Sequence, residues 1–523
     1  MRSGTTAWRS WAEIRDKETP TVALPSGGDL PVALFFPADY AVGMSNLGYH
    51  YIYRKLRELG VAVERFFASP IPYRSVERDT LLERFSLILA SVAYEGDIPT
   101  LARWMQAGGI DAPRTMREAR ETQIVGAGGA MTYINPLALT GIADFIVLGD
   151  GLPVLEYVTE TLRLGRPREA TLRELARHPS ILVPSVHIEA LRRGQAASLR
   201  IERQLDISED YGHGTWIAPD SAFGATLLLE LQRGCMRACS YCTLPSCFGP
   251  LRQRPLALLQ ADLRRIGRTC PFEQVGLVTP EAGDYRNLDA LLGEIDALGK
   301  GVSFASLRVD ALTDGMVRAL VRGGRQRLTV APETGDDAFR ARCGKRFTNA
   351  DLLEALARAR DNGVKGAKLY FMIGLPEEDV EAVASIPALC GRIRKETGLG
   401  ISVNVSPFVP KPGTAWALQP FDGATSLRRK KALLLRELRR IPGVKLHATS
   451  VREAVGEYLL SWATSHGAEN LAVRFAQCDS EKKALQDFPS VDRDGVLSEL
   501  NDLGMRSVAN GCFAAEDAMR RRQ

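Results

Sequence analysis

The chain has 523 residues, 45% of them hydrophobic and 25% charged, with a formal net charge of +5. That length holds two or three domains with ample core, and the composition is that of an ordinary globular protein. So small a positive excess gives no argument for nucleic acid as a partner, and no run approaches the roughly 18 apolar residues that a membrane span needs.

Nine cysteines are unevenly spaced, three of them packed into one short motif. Such usage suits a reducing cytoplasm and oxygen-sensitive chemistry better than a disulfide framework. The opening Met1-Arg-Ser-Gly-Thr-Thr-Ala-Trp-Arg9 has no apolar core of a secretion signal, so a cytoplasmic location is expected.

Residues 1–204 alternate short apolar strand-like runs with amphipathic helical stretches. Strands are predicted at Val32–Phe36, Val61–Phe66, Leu87–Val92, Gln123–Gly129 and Asp144–Gly151, with a helix from about Leu47 to Leu59. This alternation predicts an α/β domain with a doubly wound, Rossmann-like parallel sheet. Glycines and small polar residues gather at the carboxyl ends of its strands, where open α/β sheets bind ligands. They are Ser45 in Val42-Gly-Met-Ser-Asn-Leu-Gly48, Ser91 and Tyr94 in Ser91-Val-Ala-Tyr-Glu95, and Gly128 and Gly129 in Gly126-Ala-Gly-Gly129. Gly149, Asp150 and Gly151 follow in Leu148-Gly-Asp-Gly151.

Residues 205–224 are turn-rich (Asp210-Tyr-Gly-His-Gly214, Ala218-Pro-Asp-Ser221) and are expected to form a linker. Over 225–425 six strand–helix units can be counted, with strands near 226–232, 274–280, 301–309, 327–334, 366–376 and 400–410. Helical patterns between them run Leu256–Ile266, Leu288–Leu298, Leu312–Val321 and Asp351–Asn362. Six units are too few for a closed eight-fold barrel and predict an open (β/α)6 partial barrel. Residues 426–523 read as mainly helical, with one short apolar run and no legible motif. The basic run Arg428-Arg-Lys-Lys431 with Arg436, Arg439 and Arg440 is expected to be a solvated helix face.

The most informative segment follows the first barrel strand: Glu230-Leu-Gln-Arg-Gly-Cys235-Met-Arg-Ala-Cys239-Ser-Tyr-Cys242. A C-x3-C-x2-C triplet supplies three thiolates to a four-iron cluster and leaves one iron without a protein ligand. Clusters that only carry electrons are normally held by four cysteines, so a trio points to chemistry at the metal. The competing readings are a half zinc site completed by Cys247 and simple packing of small apolar side chains. A β-type run entering a Gly-containing loop and then a helix favours the cluster; Cys247 reads as a loop or core residue.

The spacing, with Tyr241 before the last cysteine, resembles the radical S-adenosylmethionine (radical SAM) superfamily. The resemblance extends over some 190 residues through successive strand ends. It implies that Cys235, Cys239 and Cys242 hold a [4Fe-4S] cluster and that Glu281, Gly283 or Asp284 in Thr279-Pro-Glu-Ala-Gly-Asp-Tyr285 contacts the amino group of S-adenosylmethionine. Ser306 and Arg308 in Ser306-Leu-Arg-Val-Asp310 come next, Arg308 offering a fork of donors to the cofactor's carboxylate, with a surface salt bridge as the alternative. Glu333 would accept from the cofactor's amine or ribose. Ile373, Gly374 and Leu375 would wall the adenine, which core packing explains equally well. Ser406-Pro-Phe-Val-Pro-Lys-Pro-Gly-Thr414 is similar to a stretch of one branch of the superfamily.

The amino-terminal sheet resembles the cobalamin-binding domain that precedes the core in a large radical SAM subgroup. This implies that Ser45, Ser91, Tyr94, Gly128, Gly129, Gly149, Asp150 and Gly151 approach the macrocycle or its nucleotide tail. The D-x-H-x-x-G motif that supplies a cobalt-ligating histidine is absent, and His50 reads as a helix-face residue, so cobalamin is expected without a histidine ligand. The resemblance implies reductive cleavage of S-adenosylmethionine to a 5′-deoxyadenosyl radical, with electrons from a donor such as a flavodoxin or ferredoxin. Cobalamin beside a radical generator suggests C-methylation of a small-molecule substrate. Oxidation, cyclisation or rearrangement, and modification of RNA or a ribosomal protein, are the alternatives. A cobalamin- or redox-sensing module would leave the ordered polar strand ends without a purpose.

Overall fold

The computed structural model describes residues 10–208, 210–237, 239–478, 480–485, 491–505 and 508; the expectation for the carboxyl-terminal region therefore lies partly outside the described residues. The first layer is a sheet of β1 (Leu30–Asp39), β2 (Val61–Ser69), β3 (Leu87–Ser91), β4 (Ile124–Gly128), β5 (Phe145–Val147) and β6 (Ile181–Leu182). Its order is β2-β1-β3-β4-β5-β6, parallel except for β6. Val32 to Phe36 of β1 are all buried, as a central parallel strand covered on both faces requires. The chain turns from one side of β1 to the other between β2 and β3, which opens a crevice at the carboxyl ends of β1 and β3.

Asn46 caps the helix Leu47–Glu58 by accepting from the Tyr49 amide at 3.0 Å. That helix buries Leu47, Tyr49, His50, Tyr51, Tyr53 and Leu56. Expected as a helix-face residue, His50 is fully buried, and both ring nitrogens are engaged. Nδ1 accepts from the Thr215 amide at 3.0 Å and Nε2 lies 3.1 Å from the Met44 carbonyl. Burial holds its pKa down to about 3, so it is neutral.

The second layer is two sets of parallel strands. β7 (Thr226–Glu230), β8 (Gln274–Val278) and β9 (Gly301–Phe304) form one, in the order β9-β8-β7. β10 (Arg327–Glu333), β11 (Gly366–Ile373), β12 (Gly400–Pro407) and β13 (Val444–Ala448) form the other, in chain order. Among the described residues no ladder joins β9 to β10, so the half barrel is split there. The six expected strands are present, and β13 adds a seventh beyond residue 425, where a mainly helical region was expected. Alternation divides β7. Leu227 and Leu229 enter the core beneath the helices, each such burial contributing ~1.5–3 kcal/mol. Leu228 instead packs with Leu47 and Tyr51 of the first domain.

The turn-rich segment 205–224 is packed rather than slack. Trp216–Ile217 pairs antiparallel with Thr19–Pro20, and His213 bridges to Leu229. The Phe408-Val-Pro-Lys-Pro412 stretch lies on a seam of three regions. Lys411 Nζ donates to Glu95 Oε2 (2.8 Å) and Glu457 Oε1 (2.7 Å), Ser461 Oγ donates to Glu95 Oε1 (2.7 Å), and Trp462 Nε1 donates to the Pro410 carbonyl (2.8 Å). Among the described residues no helix is long and apolar enough to cross a membrane.

Candidate active site

The cysteine loop is pinched at its neck. Gln232–Arg233 pairs antiparallel with Arg252–Gln253, and Gly234 has φ +82° with the Pro250 carbonyl where a Cβ would sit. Only glycine fits both conditions. Gln232 Nε2 donates to the Glu281 carbonyl (2.6 Å), and Gln253 Nε2 donates to Gln232 Oε1 (2.8 Å) and to the Asp284 carbonyl (2.6 Å). Further round, Ser240 Oγ donates to the Arg342 carbonyl at 2.9 Å, and the Ser240 amide donates to the Cys343 carbonyl at 3.1 Å. The loop is thereby fastened to the segments after β8 and β10.

Cys235, Cys239 and Cys242 are half-buried, whereas Cys247 is buried against Tyr133 and Ile134 as a packing residue. Burial and repulsion from its two neighbours push the Cys242 thiol up to about 11, and burial raises Cys235. Thiols in this state bind metal as thiolates by releasing protons. Among the described residues no three His, Cys, Asp or Glu groups converge on a single ion. Three thiols on one loop are the donor set of a cluster with one iron left open, and Cys247 is packed against Tyr133 and Ile134.

After β8 the structure separates three candidates that the sequence left together. Asp284 is paired with Arg237 of the cysteine loop. Gly283 approaches Ala311 too closely to accept a Cβ. Glu281, only 1% exposed, accepts from the Gly283 amide through Oε1 (3.1 Å), while Oε2 has no hydrogen-bond partner. Burial pushes its carboxyl up to about 7. A buried, orphaned carboxylate oxygen fits an ammonium ligand.

Arg308 was expected to reach a ligand carboxylate. Its fork is instead held by Asp310, with Nε and Nη2 each donating at 2.9 Å, because the acid lies two residues along the same loop. Glu333, at φ +66°, accepts from the Tyr241 hydroxyl at 2.6 Å and is paired with Lys345. This ties Tyr241 to the end of β10. Ile373 is buried in the barrel core rather than walling a ligand. Leu375 lies on the loop side instead, packed with Cys343, Phe408 and Trp416 beside Tyr241.

A cavity of about 670 Å³ lies between the two layers. Ser45, Ser91, Gly128, Gly129, Gly149, Asp150 and Gly151 line it from the first domain, and Gly234, Leu244, Phe248, Val278, Ala305 and Ser306 from the second. Tyr94 is not among them; it is 55% exposed, with its ring against Gly96. The glycines serve different ends. Gly129 (φ +111°) abuts the Val92 carbonyl and Gly149 (φ +89°) the Glu202 carbonyl, so the fold itself demands them. Gly128 is the open one, its nearest neighbour for a Cβ being Val147 at 3.8 Å. Ser45 is partly committed, donating to the Ala41 carbonyl (2.8 Å) and accepting from the Ala222 amide (3.1 Å). No histidine lines the cavity among the described residues. Its glycine edge and largely apolar walls suit a broad, flat ligand.

Sequence reading missed the tethers. Arg237 sits inside the cysteine motif and Asp310 two residues beyond Arg308, so both could be found there, but Gln253 and Lys345 reach the site only through folding.

Residues 229–387 match the radical SAM superfamily, and residues 48–184 match the N-terminal domain of radical SAM proteins. The chain belongs to the radical SAM superfamily and carries that N-terminal domain ahead of the core. Membership implies a [4Fe-4S] cluster and S-adenosylmethionine. An uncharacterized protein of Methanocaldococcus jannaschii is 26% identical over 481 residues, 91% of this chain and 97% of that one. The ribosomal protein uS12 methylthiotransferase RimO of Geobacter sulfurreducens is 26% identical over 169 residues, 30% of this chain and 37% of that protein. Among solved structures, apo OxsB, a cobalamin-dependent S-adenosylmethionine radical enzyme, aligns with a TM-score of 0.50 at 12% identity, covering 94% of this chain and 80% of that one. This likeness is one of fold. The methyltransferase TsrM of Kitasatospora setae gives a TM-score of 0.49 at 15% identity, over 74% and 77% of the two chains.

Proposed function

We propose that this protein is a cobalamin-dependent radical SAM enzyme that methylates an unactivated carbon of a small molecule. One observation carries the reading: the interdomain cavity is bordered by the cysteine loop at Gly234, Leu244 and Phe248, and it shares Val278, Ala305 and Ser306 with the barrel lumen. A ligand between the domains would thus meet both the cluster side and a substrate in the lumen. The likeness of fold to OxsB supports placing cobalamin there.

Cys235, Cys239 and Cys242 would hold the cluster, and Glu281 Oε2 would receive the amino group of S-adenosylmethionine. Bound together, cluster and S-adenosylmethionine supply a carbon-centred radical, and cobalamin supplies a transferable methyl group. Tyr241, held by Glu333, fixes the end of the cysteine loop and keeps water from that side. The Lys411–Glu95–Ser461 seam fixes the first domain over the barrel mouth. Electrons would come from a flavodoxin or ferredoxin.

Anaerobic protein reconstituted with iron, sulfide and cobalamin, then given labelled S-adenosylmethionine, tests this. With a substrate extract it should yield comparable amounts of S-adenosylhomocysteine and 5′-deoxyadenosine and a labelled product. Deoxyadenosine without S-adenosylhomocysteine would replace methylation with oxidation, cyclisation or rearrangement.

A further inference from the structure

The split between β9 and β10 leaves the barrel hollow, with a cavity of about 930 Å³, near the upper end of ligand-sized pockets. It reaches from Ser306 and Ala331 at the carboxyl ends of the strands to Phe223, Arg325, Lys365 and Gly400 at their amino ends. Four cations line it: Arg325, Arg327, Lys365 and Lys368. No Asp or Glu is among its lining residues.

At two neighbouring sites the charge is compensated. Arg233 at the neighbouring cavity is paired with Glu230 and Asp210, and Lys411 with Glu95 and Glu457. Within the lumen, among the described residues, no carboxylate pairs with Arg327, Lys365 or Lys368. Lys368 lies over the Tyr370 ring at 4.9 Å, and Arg325 Nη2 donates to the neutral Gln274 side chain at 2.8 Å. Register places Lys368 opposite Thr329, two residues along β10 from Arg327, so the cations form a cluster on adjoining strands. Above them the walls turn apolar at Leu228, Val278 and Phe304. A cleft lined by one sign of charge concentrates the opposite charge.

We propose that the lumen takes a small organic substrate with an anionic end, a phosphate ester or polycarboxylate. The anion would sit on Arg327, Lys365 and Lys368, and an apolar portion would extend toward Val278, Ala305 and Ser306, where the two cavities meet. This names the substrate class for the proposed reaction and rests on that reading for the direction in which the substrate points.

Pyrophosphate and citrate, titrated separately into reconstituted protein by calorimetry, test it. At least one should bind, more weakly as salt rises. The double variant Arg327→Gln/Lys368→Gln should bind tenfold or more weakly at unchanged iron content, whereas Arg429→Gln, on an exposed helix face, should match the wild type. Lys365→Gln, on the exposed rim, repeats the comparison if the double variant does not fold. No binding by the wild type, a loss below tenfold, or an equal loss in Arg429→Gln would overturn the proposal. Displacement of pyrophosphate by stoichiometric tRNA would put a macromolecule there and also overturn it. Wild-type release of 5′-deoxyadenosine is a separate readout, so failure of the radical chemistry is distinguishable from failure of the anion site.

Discussion

The interdomain cavity is walled largely by glycines and apolar side chains, and its charged groups are paired, Arg233 lying 3.0 Å from Glu230 and 3.6 Å from Asp150. The barrel lumen, which shares Val278, Ala305 and Ser306 with it, carries four cations and no carboxylate. Adjacent spaces in one chain therefore ask for different ligands: a broad, largely apolar one between the domains and an anionic one inside the barrel. The cause is topological. Carboxyl ends of parallel strands face each other across the domain seam, where small residues leave room. The amino-terminal halves of β10 and β11, paired side by side, border the unjoined edge next to β9, where charged side chains are solvated.

The comparison breaks most severely at the cysteines. Cys235→Ala, Cys239→Ala or Cys242→Ala should abolish release of 5′-deoxyadenosine and lower the iron content, while Cys247→Ala should retain iron. Equal iron loss in all four would return Cys247 to the metal site. Gly128→Val sharpens the other side. A Cβ there meets Val147 only at van der Waals distance, 3.8 Å, so bound cobalamin should fall to near zero while iron stays at the wild-type level; unchanged cobalamin would place that ligand elsewhere.

A smaller effect belongs to Glu281. Removing its charge with Glu281→Gln should weaken S-adenosylmethionine binding tenfold or more, following the ~1.5–3 kcal/mol of a hydrogen bond to a charged group. Because burial raises this carboxyl to about 7, the carboxylate grows in as pH rises through that value. Wild-type affinity should therefore strengthen from about pH 6 to about pH 8, and the Gln variant should lose that slope. Smallest for the chemistry is Lys411→Met. It leaves Glu95, 0% exposed, without its cation and should cost about 3 kcal/mol, seen as a lower melting temperature with cluster content unchanged.

Much of this was legible before folding. The cysteine spacing and the period-2 runs at successive strands locate the loop and six barrel strands, because local pattern sets them. β13 was not, since Val444-Lys-Leu-His-Ala448 is a five-residue alternation after a strongly charged helix. The site was half legible. Glu281 could be named only with Gly283 and Asp284, because the distinction lies in Arg237 taking Asp284 from across the loop. Arg308 was given to a ligand because its pairing with Asp310 is a matter of side-chain geometry. Lys411 and Glu95 lie 316 residues apart, and no local signal joins them. Glycines misled for another reason. A glycine required by a neighbouring carbonyl, as at Gly149, reads like one that admits a ligand, as at Gly128.

The most direct test of the central claim is electron paramagnetic resonance of the dithionite-reduced, oxygen-free protein before and after S-adenosylmethionine, alongside iron quantification. A vacant iron corner held by three cysteines predicts about four irons per chain and a reduced-cluster signal whose g-values shift when S-adenosylmethionine is added. Zinc in place of iron, or a cluster signal that S-adenosylmethionine leaves untouched, would contradict it.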